Sequence, residues 1–167
     1  RQQFKNAYNY AHELIDIEEN GDNYYWRGYI ADKLGKLSQA EKDLRKAIEM
    51  APGKIDSYVT LADVLSKAEK FEASLAICNQ GLEMDNKNKD LLETRSAVYR
   101  EKMEYPQAIN DLSRVLLFSP EDEGVFLQRG LYYQEFNQDL NAINDFSKVI
   151  SLNPDMASAY YYRAKSH

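Results

Sequence analysis

The sequence has little of what catalytic and metal sites are built from. Its 167 residues include one cysteine, two histidines and seven glycines, and the glycines form no phosphate-cradling loop. A single thiol, Cys78, excludes an internal disulfide and any metal site with several thiolate ligands. His12 and His167 stand near opposite ends of the chain, so they are not expected to act together. We therefore expect no enzyme activity, no metal and no cofactor.

Two further absences restrict the partners. No apolar run of about 18 residues is present, so we expect no membrane insertion. The net charge of −6 makes a nucleic-acid backbone a poor partner. The chain begins at Arg1 rather than Met and shows no targeting segment, so we expect a processed chain or a piece of a longer array. Its compartment stays open between the cytoplasm and, after removal of a signal peptide, the periplasm.

What the sequence does have is an internal period of 34 residues. Pro120 and Pro154 are one period apart, Pro52 lies two periods before Pro120, and Asn86 occupies the place between. Four further sets of positions keep the same spacing. They are the small residues Gly28, Ala62, Ser96, Gly130 and Ala164; the small residues Ala40, Ser74, Ala108 and Ala142; the larger residues Leu44, Cys78, Leu112 and Phe146; and the large apolar residues Tyr24, Tyr58, Leu92, Phe126 and Tyr160.

Within each period the apolar residues fall three or four apart, which predicts α-helices. Each period is expected to form two antiparallel helices of roughly 13 residues joined by a tight turn. The small residues are expected where helix axes approach closely, and Cys78 is expected in the core. The predicted full repeats are 21–54, 55–88, 89–122 and 123–156, with the second helix of another repeat in 1–20 and the first helix of a further one in 157–167, so that the chain is a single array.

The best-matching residues of one repeat are Phe126, Arg129-Gly130, Tyr133, Ala142, Phe146 and Pro154. This pattern resembles the tetratricopeptide repeat (TPR) family. The resemblance implies an all-α fold, a right-handed superhelical solenoid of antiparallel helix pairs. It also implies a scaffold or adaptor that binds a peptide or a partner domain in a concave groove. The repeat is far more specific for this fold than for any one function.

Arginine replaces the family's usual leucine in four repeats, and it is correlated with aspartate. Sixteen residues after three of these arginines stands an Asp, whereas Leu61 is followed at the same distance by Ile77. We predict structural ion pairs across the helix hairpins, because a partly buried guanidinium needs a carboxylate. An anion-binding ladder is the alternative. The pairs are Arg27 with Asp43, Arg95 with Asp111, and Arg129 with Asp145; Arg163 is expected to have no partner, as in a truncated array.

The resemblance also implies that certain positions in the first helix of each repeat face the groove. Two aromatic clusters are expected to flank an acidic middle, which favours a protein or peptide partner that is basic or polar. The alternatives are packing of the first cluster against the N-terminal helix, contact of Tyr161 and Tyr162 with a missing next helix, and a groove that is merely solvated. The predicted partner-binding residues are Tyr25, Trp26, Tyr29, Asp56, Asp63, Asp90, Glu93, Leu127, Leu131, Tyr161 and Tyr162.

One branch of the family grips the C-terminal carboxylate of chaperones with a clamp of basic and amide side chains. The corresponding phases here hold no basic residue, so a chaperone-tail adaptor is not expected. The phases are occupied by Tyr25, Tyr29, Thr60, Asp90 and Thr94. Two other functions remain open: a non-catalytic recruiting or regulatory segment of a larger protein, and a homo-oligomer formed through the terminal helices.

Overall fold

A computed structural model describes residues 2–167, and every regular element in that range is an α-helix. The helices are α1 (Gln2–Ile17), α2 (Gly21–Lys33), α3 (Leu37–Met50), α4 (Ile55–Lys67), α5 (Phe71–Met84), α6 (Lys89–Glu101), α7 (Tyr105–Phe118), α8 (Glu123–Glu135), α9 (Asp139–Leu152) and α10 (Ala157–Lys165). They form two compact units, one ending at Asn86 and the other beginning at Lys87. Unit 1 contains α1–α5 and unit 2 contains α6–α10.

Within each unit, consecutive helices pack as antiparallel pairs, and small residues set how closely they approach. At the start of α2, a Cβ atom on Gly21 would lie 2.8 Å from the Cβ of Ala51, just past the end of α3. Further along α2, a Cβ on Gly28 would lie 2.8 Å from the Cγ of Leu44. In unit 2, a Cβ on Gly130 would lie 2.6 Å from the Cε1 of Phe146. The glycines therefore stand where two helices touch backbone to side chain.

The turn between the two helices of each repeat has a left-handed residue at the same phase. Gly35, Glu69, Met103 and Asn137 have φ angles of 76°, 58°, 60° and 57°. The amide after each of them donates to a carbonyl five residues back, as Lys36 does to Ala31 at 2.9 Å. This bond satisfies a carbonyl that the end of the helix would otherwise leave unpaired. Two of the four residues are not of the types that adopt this conformation readily.

Each unit has its own buried core. The 34-residue phases that begin with Leu44 and Ala40 are fully buried in every repeat, Cys78 among them at 0% exposure. Large side chains with no exposed surface fill both units. They are Leu44, Leu61, Val64 and Leu65 in unit 1 and Leu91, Leu92, Val98, Leu112, Val115, Val125, Phe146 and Val149 in unit 2.

Candidate functional site

Three arginines each hold an aspartate with two parallel hydrogen bonds across a helix hairpin. Arg27 Nε and NH2 donate to the two oxygens of Asp43 at 2.8 and 2.7 Å. Arg129 and Asp145 repeat the arrangement at 2.8 Å for both bonds, and so does Arg95 with Asp111. The guanidinium side chains are only 11–17% exposed. Because their carboxylates already occupy the hydrogen-bonding edge, this geometry favours structural pairs over an anion-binding ladder.

The repeat without this arginine replaces the charged pair by an apolar one. Leu61 is 0% exposed and Ile77 is 7% exposed, at the phases that hold Arg and Asp elsewhere. Both versions leave no uncompensated charge inside the hairpin.

The remaining donors of two arginines reach the preceding helix, which the sequence analysis did not foresee. NH1 of Arg27 lies 2.8 Å from Nδ1 of His12, and NH1 of Arg129 donates to the Oγ of Ser113 at 2.9 Å. The prediction that Arg163 has no partner was wrong. Its NH1 donates to the Oγ of Ser147 at 3.4 Å, and its guanidinium lies 5.6 Å from the centre of the Tyr160 ring. The preceding helix supplies a hydroxyl even though no aspartate is available.

Tyr25, Trp26 and Tyr29 form one aromatic cluster on α2. The Tyr25 and Trp26 rings meet edge to face with centroids 5.1 Å apart, and Trp26 meets Tyr29 in the same way at 6.0 Å. Tyr25 and Tyr29 stack at 6.3 Å. Trp26 is 53% exposed and the two tyrosines are half-buried. The rings thus support one another and leave much of the indole open to solvent.

Two lysines border the aromatic cluster. The Nζ of Lys54 lies 4.2 Å from the centre of the Tyr25 ring and also donates to Asp22. The Nζ of Lys33 lies 4.9 Å from the centre of the Tyr29 ring. Contacts of this kind add cation–π attraction and hold the rings in place.

Lys54 was missed by the sequence analysis, although the repeat phase carried a signal. At the same phase, Asn20, Asn88 and Asp122 cap the following helix by accepting a backbone N–H bond. Helix α4, which follows Lys54, has no side-chain cap bond. The repeat that follows the aromatic cluster therefore has a lysine directed to Tyr25 where a capping residue would otherwise stand.

The acidic residues predicted in unit 1 differ in how they are paired. The Nζ of Lys67 lies 2.7 Å from a carboxylate oxygen of Asp63 and equally close to one of Asp32, which is buried. Burial lowers the pKa of Lys67, but the hydrogen bonds that Lys67 donates to Asp32 and Asp63 outweigh it and raise the pKa overall. Asp56 is exposed, and its carboxylate makes no salt bridge to any residue in the described range. Only Asp56 therefore keeps an uncompensated negative charge among these carboxylates.

The predicted residues of unit 2 lie in more varied surroundings. Asp90 is exposed and Glu93 is half-buried, with Lys89 Nζ 3.7 Å from its carboxylate. Burial raises the pKa of Glu93, and Lys89 only partly opposes this. Leu127 and Leu131 are both half-buried on α8.

The two tyrosines of α10 have different roles in the packing. Tyr161 is 65% exposed. The Tyr162 ring stacks on the core ring of Phe146 with centroids 5.8 Å apart. Tyr162 is thus held by the packing of α10 on α9. The two residues also meet edge to face at 5.3 Å.

No helix in residues 2–167 is both long enough and apolar enough to cross a membrane. Within the same residues, no three His, Cys, Asp or Glu side chains are grouped so as to hold a metal ion.

A family model described as the tetratricopeptide repeat matches residues 21–54, 55–88 and 124–156, more than half of the chain. The chain belongs to the tetratricopeptide repeat family. Proteins with TPR repeats are generally non-catalytic scaffolds for protein–protein interaction, and membership supports that role here.

Two curated relatives match about half of the chain. The chain is 29% identical over 91 residues to a DnaJ homolog subfamily C member 3 homolog of Dictyostelium discoideum, which covers 52% of this chain and 18% of that protein. It is 29% identical over 83 residues to a TPR repeat-containing protein of Methanocaldococcus jannaschii, covering 50% of this chain and 15% of that protein. The matched segments thus span less than a fifth of either relative.

Solved TPR structures share the fold. The C-terminal part of a TPR repeat-containing protein from Cytophaga hutchinsonii matches 98% of this chain and 65% of its own, with a TM-score of 0.87 at 20% identity. A TPR protein from Parabacteroides merdae matches 87% of this chain and 58% of its own, with a TM-score of 0.80 at 25% identity. YrrB, described as a TPR protein with an unusual peptide-binding site, matches 99% of this chain and 85% of its own, with a TM-score of 0.79 at 17% identity.

Proposed function

We propose that this TPR protein is an interaction scaffold that holds a peptide segment of a partner protein against the aromatic cluster of α2 and the neighbouring face of α4. The observation that carries the proposal is the cluster itself. Tyr25, Trp26 and Tyr29 are in mutual contact on α2, and Trp26 is more than half exposed.

Such a cluster has the composition of a binding site. Tyr and Trp combine a large apolar area with few rotatable bonds, and they dominate the residues whose truncation weakens protein interfaces. The lysine contacts to Tyr25 and Tyr29 fix the ring orientations before a partner arrives, which lowers the entropy that binding must overcome. Asp56, exposed on α4, favours a basic or polar segment, mainly through faster encounter.

The test is capture of partners from the source cells by the wild-type chain and by the double variant Trp26→Ala with Tyr29→Ala. We expect the double variant to lose the partners that the wild type retains. The matched control is Phe136→Ala, just after α8 in unit 2, which removes another exposed aromatic ring (37% exposed) outside the cluster. An unchanged set of captured proteins in the double variant, with its helical content intact, would refute the proposed site.

The predicted unit 2 residues make a weaker case. Leu127 and Leu131 are half-buried, and Tyr162 already packs on Phe146. We propose Asp90, Glu93, Leu127, Leu131 and Tyr161 as a secondary contact area. Loss of capture in a Leu131→Ala variant that keeps the wild-type melting temperature would support it.

Self-association is a second candidate, favoured by one specific observation. Helix α1 carries four exposed large apolar side chains. They are Phe4, Tyr10, Leu14 and Ile17. Exposed large apolar side chains concentrated on one helix often mark an interaction surface. Light scattering over a wide concentration range tests it, and a monomer throughout would rule it out. The lengths of the curated relatives also support a third candidate, a recruiting segment of a larger protein.

A further inference from the structure

The aromatic cluster offers hydrogen-bond donors that the protein itself does not use. The Trp26 indole N–H and the hydroxyls of Tyr25 and Tyr29 form no hydrogen bond with any residue between 2 and 167, although their rings are in contact. Two other tyrosine hydroxyls of unit 1 do find acceptors: that of Tyr58 donates to the Pro52 carbonyl at 3.0 Å, and that of Tyr24 donates to Glu19 at 2.8 Å. Three unused donors thus lie among three partly open rings.

These donors discriminate between the ways in which a peptide can bind. An amphipathic helix satisfies its own carbonyls internally, so it would cover the rings and leave the donors unused. An added β-strand needs a sheet edge, and the described residues contain no strand. A polyproline II segment has no internal hydrogen bonds and exposes its carbonyls, and its pyrrolidine rings pack on aromatic faces. Only the last mode uses both the rings and the donors.

Charge adds a second condition. Among the four aspartates of α2 and α4, Asp22 bonds to Lys54, and Asp32 and Asp63 bond to Lys67. Asp56 keeps an exposed carboxylate without a salt bridge in the described range. A basic side chain on the bound segment would meet this charge.

We infer that the segment bound at the aromatic cluster is extended and proline-rich, with a basic residue that pairs with Asp56. The inference rests on the proposed function and adds the class of partner to it. Backbone carbonyls of the segment accept from Trp26, Tyr25 and Tyr29, while its proline rings lie against their faces.

The first experiment selects peptide ligands without assuming their sequence. A display library of random peptides of about twelve residues, roughly four turns of a polyproline II helix, is selected on the wild-type chain and depleted on Trp26→Ala. We expect the retained sequences to be enriched in proline several-fold over the input and to contain Lys or Arg. Retained sequences with apolar residues at helical spacing and no proline would overturn the inference and leave the proposed function standing. If no selected peptide requires Trp26 for binding, the inference is overturned as well. The capture experiment tests the proposed function independently.

The second experiment tests the donors. Trp26 is the only tryptophan in the chain, so its fluorescence reports titration with a selected proline-rich peptide. Tyr25→Phe and Tyr29→Phe keep the rings and remove only the hydroxyls. Each is expected to weaken binding about 2- to 10-fold, the range for one net hydrogen bond. Tyr99→Phe on α6 in unit 2 is the control and should bind as the wild type does. Wild-type affinity in both Phe variants, with loss in Tyr29→Ala, would show that the rings act alone and would overturn the carbonyl contacts.

A charge reversal at Asp56 tests its pairing with the basic residue of the bound segment. Asp56→Lys should weaken the peptide with its basic residue several-fold and should bind more tightly a peptide in which that residue is Glu. Asp139→Lys, at the start of α9 in unit 2, changes the net charge equally and should leave both affinities unaltered. If the two variants behave alike, the pairing with Asp56 is wrong.

Discussion

Arg95 and Asp111 stand sixteen residues apart and are joined by two parallel hydrogen bonds of 2.7 and 2.6 Å. The carboxylate is 1% exposed, so water cannot replace the guanidinium if that group is lost. The same geometry in two other hairpins makes this a repeated element of the fold rather than an isolated surface contact.

Replacing Asp111 by Ala leaves the Arg95 guanidinium largely buried without its carboxylate. Removing one partner of a buried ion pair typically destabilises a protein by about 3 kcal/mol or more. We expect a loss of that size in the free energy of unfolding, measured by urea denaturation. Asp90→Ala, which removes an exposed carboxylate, is the control and should change the free energy by about 0.5 kcal/mol or less. Equal effects of the two substitutions would contradict the structural role.

Replacing both residues tests whether stability requires the ion pair itself, or requires only that neither charge is left without its partner. Arg95→Leu with Asp111→Ile copies the apolar pair Leu61 and Ile77, which is buried in another hairpin of the same chain. Apolar replacement of a whole buried ion pair is often neutral or stabilising. We expect the double variant to lie within about 1 kcal/mol of the wild type, far above either single variant in denaturation. Additive losses would show that this hairpin cannot accept the apolar pair.

Gly130→Ala probes the closest helix contact of unit 2. The added Cβ would lie 2.6 Å from Cε1 of Phe146, and overpacking of this kind costs about 1–3 kcal/mol. The better helix propensity of Ala returns about 1 kcal/mol, so the net loss should be about 1 kcal/mol. Adding Phe146→Leu should recover part of it, because Ser96 already tolerates Leu112 at the same phases. Thermal melting of the three variants decides this; a double variant that melts below both single variants would contradict it.

Met103→Gly should stabilise the chain. Met103 has φ of 60° and is 76% exposed, so its side chain contributes little packing while its backbone is strained. Left-handed geometry costs a non-glycine residue about 1–2 kcal/mol, and the flexibility of Gly offsets part of the gain, leaving about 0.5–1 kcal/mol. Gly35→Ala is the reverse control, because its Cβ would meet nothing within 4 Å and only the backbone is tested. A lower melting temperature for Met103→Gly would refute the strain.

Glu93→Gln should stabilise the protein at neutral pH and not in acid. Burial raises the pKa of Glu93 in the folded state, so its ionised form at pH 7 is less favourable in the folded chain than in the unfolded one. Once the pH falls below the ordinary value of 4.5, both states are protonated and the difference disappears. Melting temperatures of variant and wild type should therefore converge on acidification.

Glu135→Gln is the control of opposite sign. The hydrogen bond from Arg100 lowers the pKa of Glu135, so its stabilising contribution is present above the ordinary pKa and lost as the pH falls through the lowered folded value. This variant should be less stable than the wild type at pH 7. If both variants move in the same direction at neutral pH, the assigned surroundings of the two carboxylates are wrong.

The sequence allowed the helix pairs to be predicted because a residue's phase in a 34-residue period fixes its neighbours. Gly28 against Leu44 and Gly130 against Phe146 follow from that phase alone, and so does the pairing of Arg with Asp. The contact of His12 with Arg27 does not, because the period is not kept before residue 21 and the exact placement of α1 on α2 decides it. The left-handed turns were also not predicted. Gly35 and Asn137 are residue types that favour a positive φ, but Glu69 and Met103, which occupy the same phase, are not.

The aromatic cluster could be located from the sequence, but its bordering charges could not. Phase placed Tyr25, Trp26 and Tyr29 on one face of α2. Which carboxylates stay uncompensated depends on where flexible lysine side chains come to rest, and Lys67 is shared between Asp63 and the buried Asp32. Long side chains with several rotatable bonds are not fixed by periodicity.

The apolar pair of Leu61 and Ile77 disfavours misfolded states in which helices of different repeats pack together. Near-identical hairpins invite exchange, in which the first helix of one repeat docks on the second helix of another. If α4 met α7, Leu61 would face Asp111 and bury a lone carboxylate; if α6 met α5, Arg95 would face Ile77. Both mismatches carry the penalty of an unpaired interior charge. The repeat with the apolar pair thus differs from the repeats on either side. This difference favours the native pairing of helices while the chain folds.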